Sequence, residues 1–128
     1  MIDLLNSPLA GALWTCLALA IAASALSMTV TQTELFAPLR ALARKIHPQV
    51  GHLFQCFYCF SHWVVIAGTL VYRPVVIASG WAPVDWLVAT FFTIALTAMF
   101  CGLLFKVFLT AMAKAVSERE LKKLFASE

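Results

Sequence analysis

Charge is what this sequence has least of. Only 12% of its 128 residues are Asp, Glu, Lys or Arg, against 62% apolar side chains. Soluble domains carry about 25% charged residues. Such a deficit excludes a disordered chain, an ordinary water-soluble enzyme and a small disulfide-stapled secreted module. The net charge of +3 is too small, and too segregated along the chain, for nucleic-acid binding. No carboxylate pair falls within a long apolar run, no glycine-rich loop suits a phosphate, and no nucleophile stands beside a base. We therefore expect no enzyme.

What the chain has is apolar length. From Leu4 to Thr33 there is no Asp, Glu, Lys, Arg or His, and a helix needs about 20 such residues to cross a bilayer core. Ser7-Pro8 is a good helix start: a side-chain acceptor at the cap, then a residue with no amide proton to lose. The first span is placed at about 8–28. The second run, 53–72, stops at Arg73-Pro74, a charge followed by a helix breaker. The third, 86–105, stops at Lys106, and proline interrupts none of the three. Asp3 is the only charge ahead of the first run, which is also too long for a signal peptide, so it reads as a retained helix. These runs predict one integral membrane domain of class all-α with three transmembrane helices. The competing reading is the buried bundle of a soluble protein.

Orientation follows from Lys and Arg. Arg40, Arg44 and Lys45 lie between the first two runs, and Lys106, Lys114, Arg119, Lys122 and Lys123 follow the third. Three spans put both segments on one side, leaving Arg73 alone on the other. The positive-inside rule then predicts a bacterial inner-membrane protein with a periplasmic N-terminus and a cytoplasmic C-terminus. Tyr72, Trp81 and Trp86 suit an outer aromatic belt.

Both inner segments are patterned. Thr31-x-x-Glu34 reads as a capping box opening a helix at about 32–46, with Leu35, Leu39, Leu42 and Ile46 at helical spacing. This amphipathic helix either lies on the inner membrane surface, with Arg40, Arg44 and Lys45 toward anionic lipid heads, or packs against its own bundle. After Lys106 the sequence turns amphipathic with no Pro or Gly. One helix from about Pro83 to Leu124 is expected, with a cytoplasmic extension over 106–125 and an i,i+4 pair at Glu118 and Lys122. Its apolar stripe (Val107, Phe108, Met112, Val116) favours contact with the first loop helix, a second copy or another protein.

The chemically notable stretch runs from His52 to Trp63. On a continuous helix His52, Cys56, Cys59 and Trp63 share one stripe, with His62 off it. Three readings are open. Two thiolates with His52 and His62 form a zinc-type donor set, though a helical Cys-x-x-Cys is not the usual knuckle. A redox pair is the second, without a thioredoxin-like strand–helix unit around it. The simplest is packing: Cys acts as a small apolar residue, with Trp63 as a filler, and no cofactor is required. Cys16 and Cys101 stand alone and are taken as packing residues. His62, a polar ring in an apolar run, is either structural or part of a proton or ion path.

Small residues crowd the first span. Ala18, Ala22 and Ala25 share one face, and Ala20 and Ser24 form another small-x-x-x-small pair. Close approach is what joins helices in lipid, so these faces predict packing partners, including a second copy in a homo-oligomer.

Glu34-Leu-Phe-Ala-Pro-Leu-Arg40 and Gly51-His-Leu-Phe-Gln-Cys56-Phe-Tyr-Cys59-Phe-Ser-His-Trp63-Val64 together resemble a family of small bacterial and phage membrane proteins of unknown function. Its pattern is an F-x-P-L-R element before a G-x-L-x-x-C-P-x-C-x-S-x-W-V element. Phe57 stands where that family commonly has Pro, which makes an unbroken helix there more plausible. The resemblance implies a bacterial or phage inner-membrane protein and no reaction. The expected role is a non-catalytic membrane anchor or assembly platform, oligomeric, holding a cytoplasmic or virion protein. The alternatives are a holin-like, lesion-forming protein and a metal- or redox-responsive one using the Cys-x-x-Cys.

Overall fold

The computed structural model describes residues 7–127; Asp3 and the first residues of the uncharged run, 4–6, lie outside them. Among the described residues there is no strand. The elements are α1 (Pro8–Gln32), a 3-10 turn (Glu34–Phe36), α2 (Ala37–Ile46), α3 (Pro48–Leu53), α4 (Phe57–Tyr72) and α5 (Ala82–Ala126). Helices α1 and α5 are long and apolar enough to cross a membrane, whereas α4 has only 16 residues.

Helix α1 begins as its sequence predicts. The Ser7 hydroxyl accepts from the Ala10 amide at 3.2 Å, and Pro8 occupies the first turn. It runs past Met28 to Gln32, because hydroxyls in its last turns bond back along the helix. Ser27 donates to the Ala23 carbonyl at 2.6 Å and Thr31 to the Ser27 carbonyl at 2.8 Å. Thr31 is thus buried inside α1 and caps nothing, so the capping box does not form and α2 starts at Ala37, five residues later than expected. Helix α5 matches its predicted bounds within two residues at each end, and spans about 68 Å at 1.5 Å per residue.

Helices α1, α4 and α5 pack pairwise into a three-helix bundle. Helices α4 and α5 run antiparallel: the Phe57 and Phe105 rings stack with centroids 5.5 Å apart, and the Thr69 and Thr90 hydroxyls meet at 3.0 Å. Gly68 lets α4 close on α1. A Cβ there would come within 2.6 Å of Leu19 Cδ1.

The interior is made of small side chains and hydroxyls. Cys16, Ala20, Ala23, Ser24, Ser27, Ser61, Val65, Thr69, Ala89, Thr90, Thr93, Thr97 and Cys101 are buried. Large apolar side chains point away: Trp14 is 69% exposed, Val71 76%, Phe91 67% and Met99 72%. In water this arrangement forfeits most of the hydrophobic drive to fold, about 1.5–3 kcal/mol for each large side chain left exposed. In lipid the outer face loses nothing, and small residues bring the helices close. The inner hydroxyls are satisfied within their own helices, as where Thr93 donates to Ala89 and Thr97 to Thr93, each at 2.7 Å.

Two packing expectations take a definite form. Ala18, Ala22 and Ala25 lie on the exposed side of α1, free for a second copy, and the face used within the bundle carries Ala20 and Ser24. Trp63, expected as a buried or interfacial filler, is not buried. It is 62% exposed, because α4 buries the i, i+4, i+8 row Ser61, Val65 and Thr69, and Trp63 falls off that row.

Candidate functional site

The continuous helix expected through 53–72 breaks at residues 54–56, where α3 ends and α4 begins. Two contacts hold the break. The Phe54 and Phe60 rings tilt together with centroids 5.3 Å apart, and Cys56 caps α4, its sulfur accepting from the Cys59 amide at 3.4 Å. Phe57 takes the first helical position, where the residue type matters little because that amide has no intrahelical partner. The break also separates the expected stripe. His52 belongs to α3 and its ring is exposed, while Cys56 and Cys59 are half-buried at the head of α4.

The four residues proposed as metal ligands are therefore not assembled. Among the described residues no three His, Cys, Asp or Glu side chains come together as a ligand set. His62 is occupied within α4: its Nδ1 donates to the Tyr58 carbonyl at 2.7 Å, and its ring meets the Tyr58 ring edge-on at 4.5 Å. Cys56 and Cys59 are free thiols, linked through the bond from the Cys59 amide to the Cys56 sulfur. Cys16 and Cys101 are buried in the bundle, 0% and 1% exposed.

The loop before this turn is locked to the bundle by residues whose roles their types alone did not reveal. Arg40 does not point to lipid heads. Its guanidinium donates to the Val30 carbonyl at 2.9 Å and the Thr33 carbonyl at 2.7 Å, closing the C-terminal end of α1 where unsatisfied carbonyls gather partial negative charge. Gly51 lets α3 lie against α2; a Cβ there would meet Arg44 Cα at 2.9 Å and its Cγ at 2.7 Å. Arg44 and Lys45 are exposed, as a surface role requires. So are Leu35, Leu39, Leu42 and Ile46, so α2 does not spend its apolar stripe on its own bundle. A run of glycine, proline and arginine at fixed offsets was the only sequence signal of this lock.

From Phe105, level with the Cys-x-x-Cys turn, α5 continues through Ala126. Every residue from 106 to 126 is exposed. The two cationic segments thus lie toward the same end of the bundle. At the other end, Arg73 closes α4 in the left-handed region at φ 44°, a conformation costing an L-residue about 1–2 kcal/mol. There Asp85 accepts from the Ser79 hydroxyl at 2.6 Å and the Ser79 amide at 2.7 Å. These two bonds hold its carboxyl below the ordinary value.

Compared with protein-family models, with curated proteins and with solved structures, the chain matches none.

Proposed function

We propose that the protein is a three-span inner-membrane anchor of bacterial or phage origin that holds a partner through its projecting helix. The observation that carries this reading is the second half of α5: some 20 residues, wholly exposed, standing beyond the bundle on a continuous helix. Spans one and three are α1 and the first half of α5. The second is α4. Its 16 residues reach about 24 Å, and the aromatic turn at Phe54 and the Tyr72–Arg73 end extend it toward the interfaces. The N-terminus faces the periplasm, and the α2 connector and the α5 extension face the cytoplasm, where Arg44, Lys45 and the tail lysines meet anionic lipid heads. The exposed row Ala18, Ala22 and Ala25 is suited to a second copy. The partner is a cytoplasmic or virion protein; no reaction, metal or nucleic acid enters this reading.

Truncation after Phe105 tests it. The shortened chain should insert and fold as before while losing the partner that cross-links to the full-length protein. Full-length protein that cross-links to nothing beyond itself would refute the anchor. The same exposed alanine row supports a second reading, a holin-like oligomer that opens a membrane lesion. Abrupt depolarisation of expressing cells would select it, and a steady membrane potential would leave the anchor.

A further inference from the structure

We propose that Cys56 and Cys59 form a thiol–disulfide switch, Cys56 attacking and Cys59 resolving, that exchanges with low-molecular-weight disulfides of the glutathione class. The inference rests on the turn at 54–56 and not on the anchor reading. Had the helix been continuous, both cysteines would be ordinary helical residues. The break makes Cys56 the N-cap of a 16-residue helix and Cys59 its third residue.

Three features of that placement point to exchange chemistry. Residues three apart at a helix start have Cα atoms about 5 Å apart by helix geometry, inside the range of about 4.4–6.8 Å that a disulfide bridges. The Cys59 amide already reaches the Cys56 sulfur at 3.4 Å, so the two residues are held together across the first turn. Both are half-buried, open enough for a small reagent, while the other two thiols are sealed in the bundle. The pair is also asymmetric. The Cys56 sulfur receives the Cys59 amide at 3.4 Å and sits at the N-cap, where unsatisfied amides favour negative charge, whereas Cys59 lies inside the first turn. That makes Cys56 the thiolate.

The chemistry balances with one disulfide RSSR as oxidant. The Cys56 thiolate attacks one sulfur of RSSR, the S–S bond breaks, and RS⁻ leaves and takes up a proton. Cys59, losing its proton to water, attacks Cys56 Sγ of the mixed disulfide and expels the second RS⁻. Two protein thiols are oxidised, and one RSSR is reduced to two RSH. The new bond fixes the first turn of α4, next to the Phe57–Phe105 stack from which the projecting helix departs. Oxidation is thereby placed to alter how that helix is held.

Full-length protein in detergent, equilibrated with graded ratios of reduced and oxidised glutathione, alkylated and measured by mass spectrometry, tests this. Wild type should lose both thiols together to an intramolecular Cys56–Cys59 disulfide, with Cys16 and Cys101 unchanged. Cys59→Ser should accumulate a Cys56–glutathione adduct. Cys56→Ser should react at Cys59 at least about threefold more slowly than Cys59→Ser reacts at Cys56, since the gain in thiolate fraction is partly offset by lower nucleophilicity. The wild-type measurement needs no variant to fold. If Cys56 and Cys59 stay alkylatable up to fully oxidised glutathione, or bridge between chains instead, or if the two single variants react at equal rates, the proposal is overturned.

Discussion

Thr93 and Thr110 lie on the same helix and make the same bond. Thr93 donates to the Ala89 carbonyl at 2.7 Å, and Thr110 to the Lys106 carbonyl at 2.8 Å. Yet Thr93 is fully buried and Thr110 is exposed. Half of α5 is held by neighbours and half by nothing but itself. The buried half carries three Thr and four Phe, which are mediocre helix formers, and it is stabilised by packing. The projecting half is built from Ala, Leu, Lys and Glu, which form helix in water. A helix designed to stand unsupported needs the second composition, and one that will be packed in lipid does not.

Substitutions can break this comparison, beginning with the same change in both halves. Thr93→Leu inserts a branched side chain where no space exists and should cost about 2–3 kcal/mol, read as a lower midpoint in a denaturing-detergent titration followed by circular dichroism. Gly51→Ala forces α3 off the Arg44 backbone and should cost about 1–2 kcal/mol in the same assay. Proteolysis near residues 47–55 should rise with it. Arg40→Met keeps the apolar stem but orphans the carbonyls at the end of α1, a loss of about 1 kcal/mol. Raised amide exchange at the end of α1 checks it.

A smaller effect depends on pH. Asp85 has its folded pKa below the unfolded value, so it contributes stability above the unfolded value, near pH 4, and loses that contribution as pH falls through the folded value. Asp85→Asn should remove that contribution, lowering stability slightly at neutral pH, flattening the profile around pH 4 and leaving strongly acid conditions almost unaffected. Smallest of all, Thr110→Leu should stay within about 0.5 kcal/mol. A loss matching that of Thr93→Leu would mean that the projecting half is covered in the isolated protein, and the contrast would fail.

Periodicity and charge made much of this legible. Ser7-Pro8 announced the start of α1, Arg73-Pro74 the end of α4, and the unbroken run from Pro83 the single long α5. Each rests on local chemistry that acts over three or four residues. The segment between the first two apolar runs was read less well. Thr31 looked like a cap because its spacing to Glu34 is right, but the helix before it was still running. Arg40 looked like a lipid contact because it is a cation near a span. Its target is a carbonyl cluster created only when α2 folds back on α1.

The Cys-x-x-Cys turn shows the same limit most sharply. With Phe at position 57, no residue type announces a break, and a continuous helix was the natural expectation. The ring contact of Phe54 with Phe60 and the docking of α3 on α2 through Gly51 decide otherwise.

The order of residues alone determined that this chain is helical and apolar enough for lipid, where its cations gather and where its longest helix runs, because backbone propensity and the cost of burying charge act on each segment separately. Which face of α1 is inside, which way Arg40 and Trp63 turn, and that Cys56 stands at the head of a helix were decided only by tertiary structure. Those depend on contacts between segments distant in sequence, and no local rule contains them.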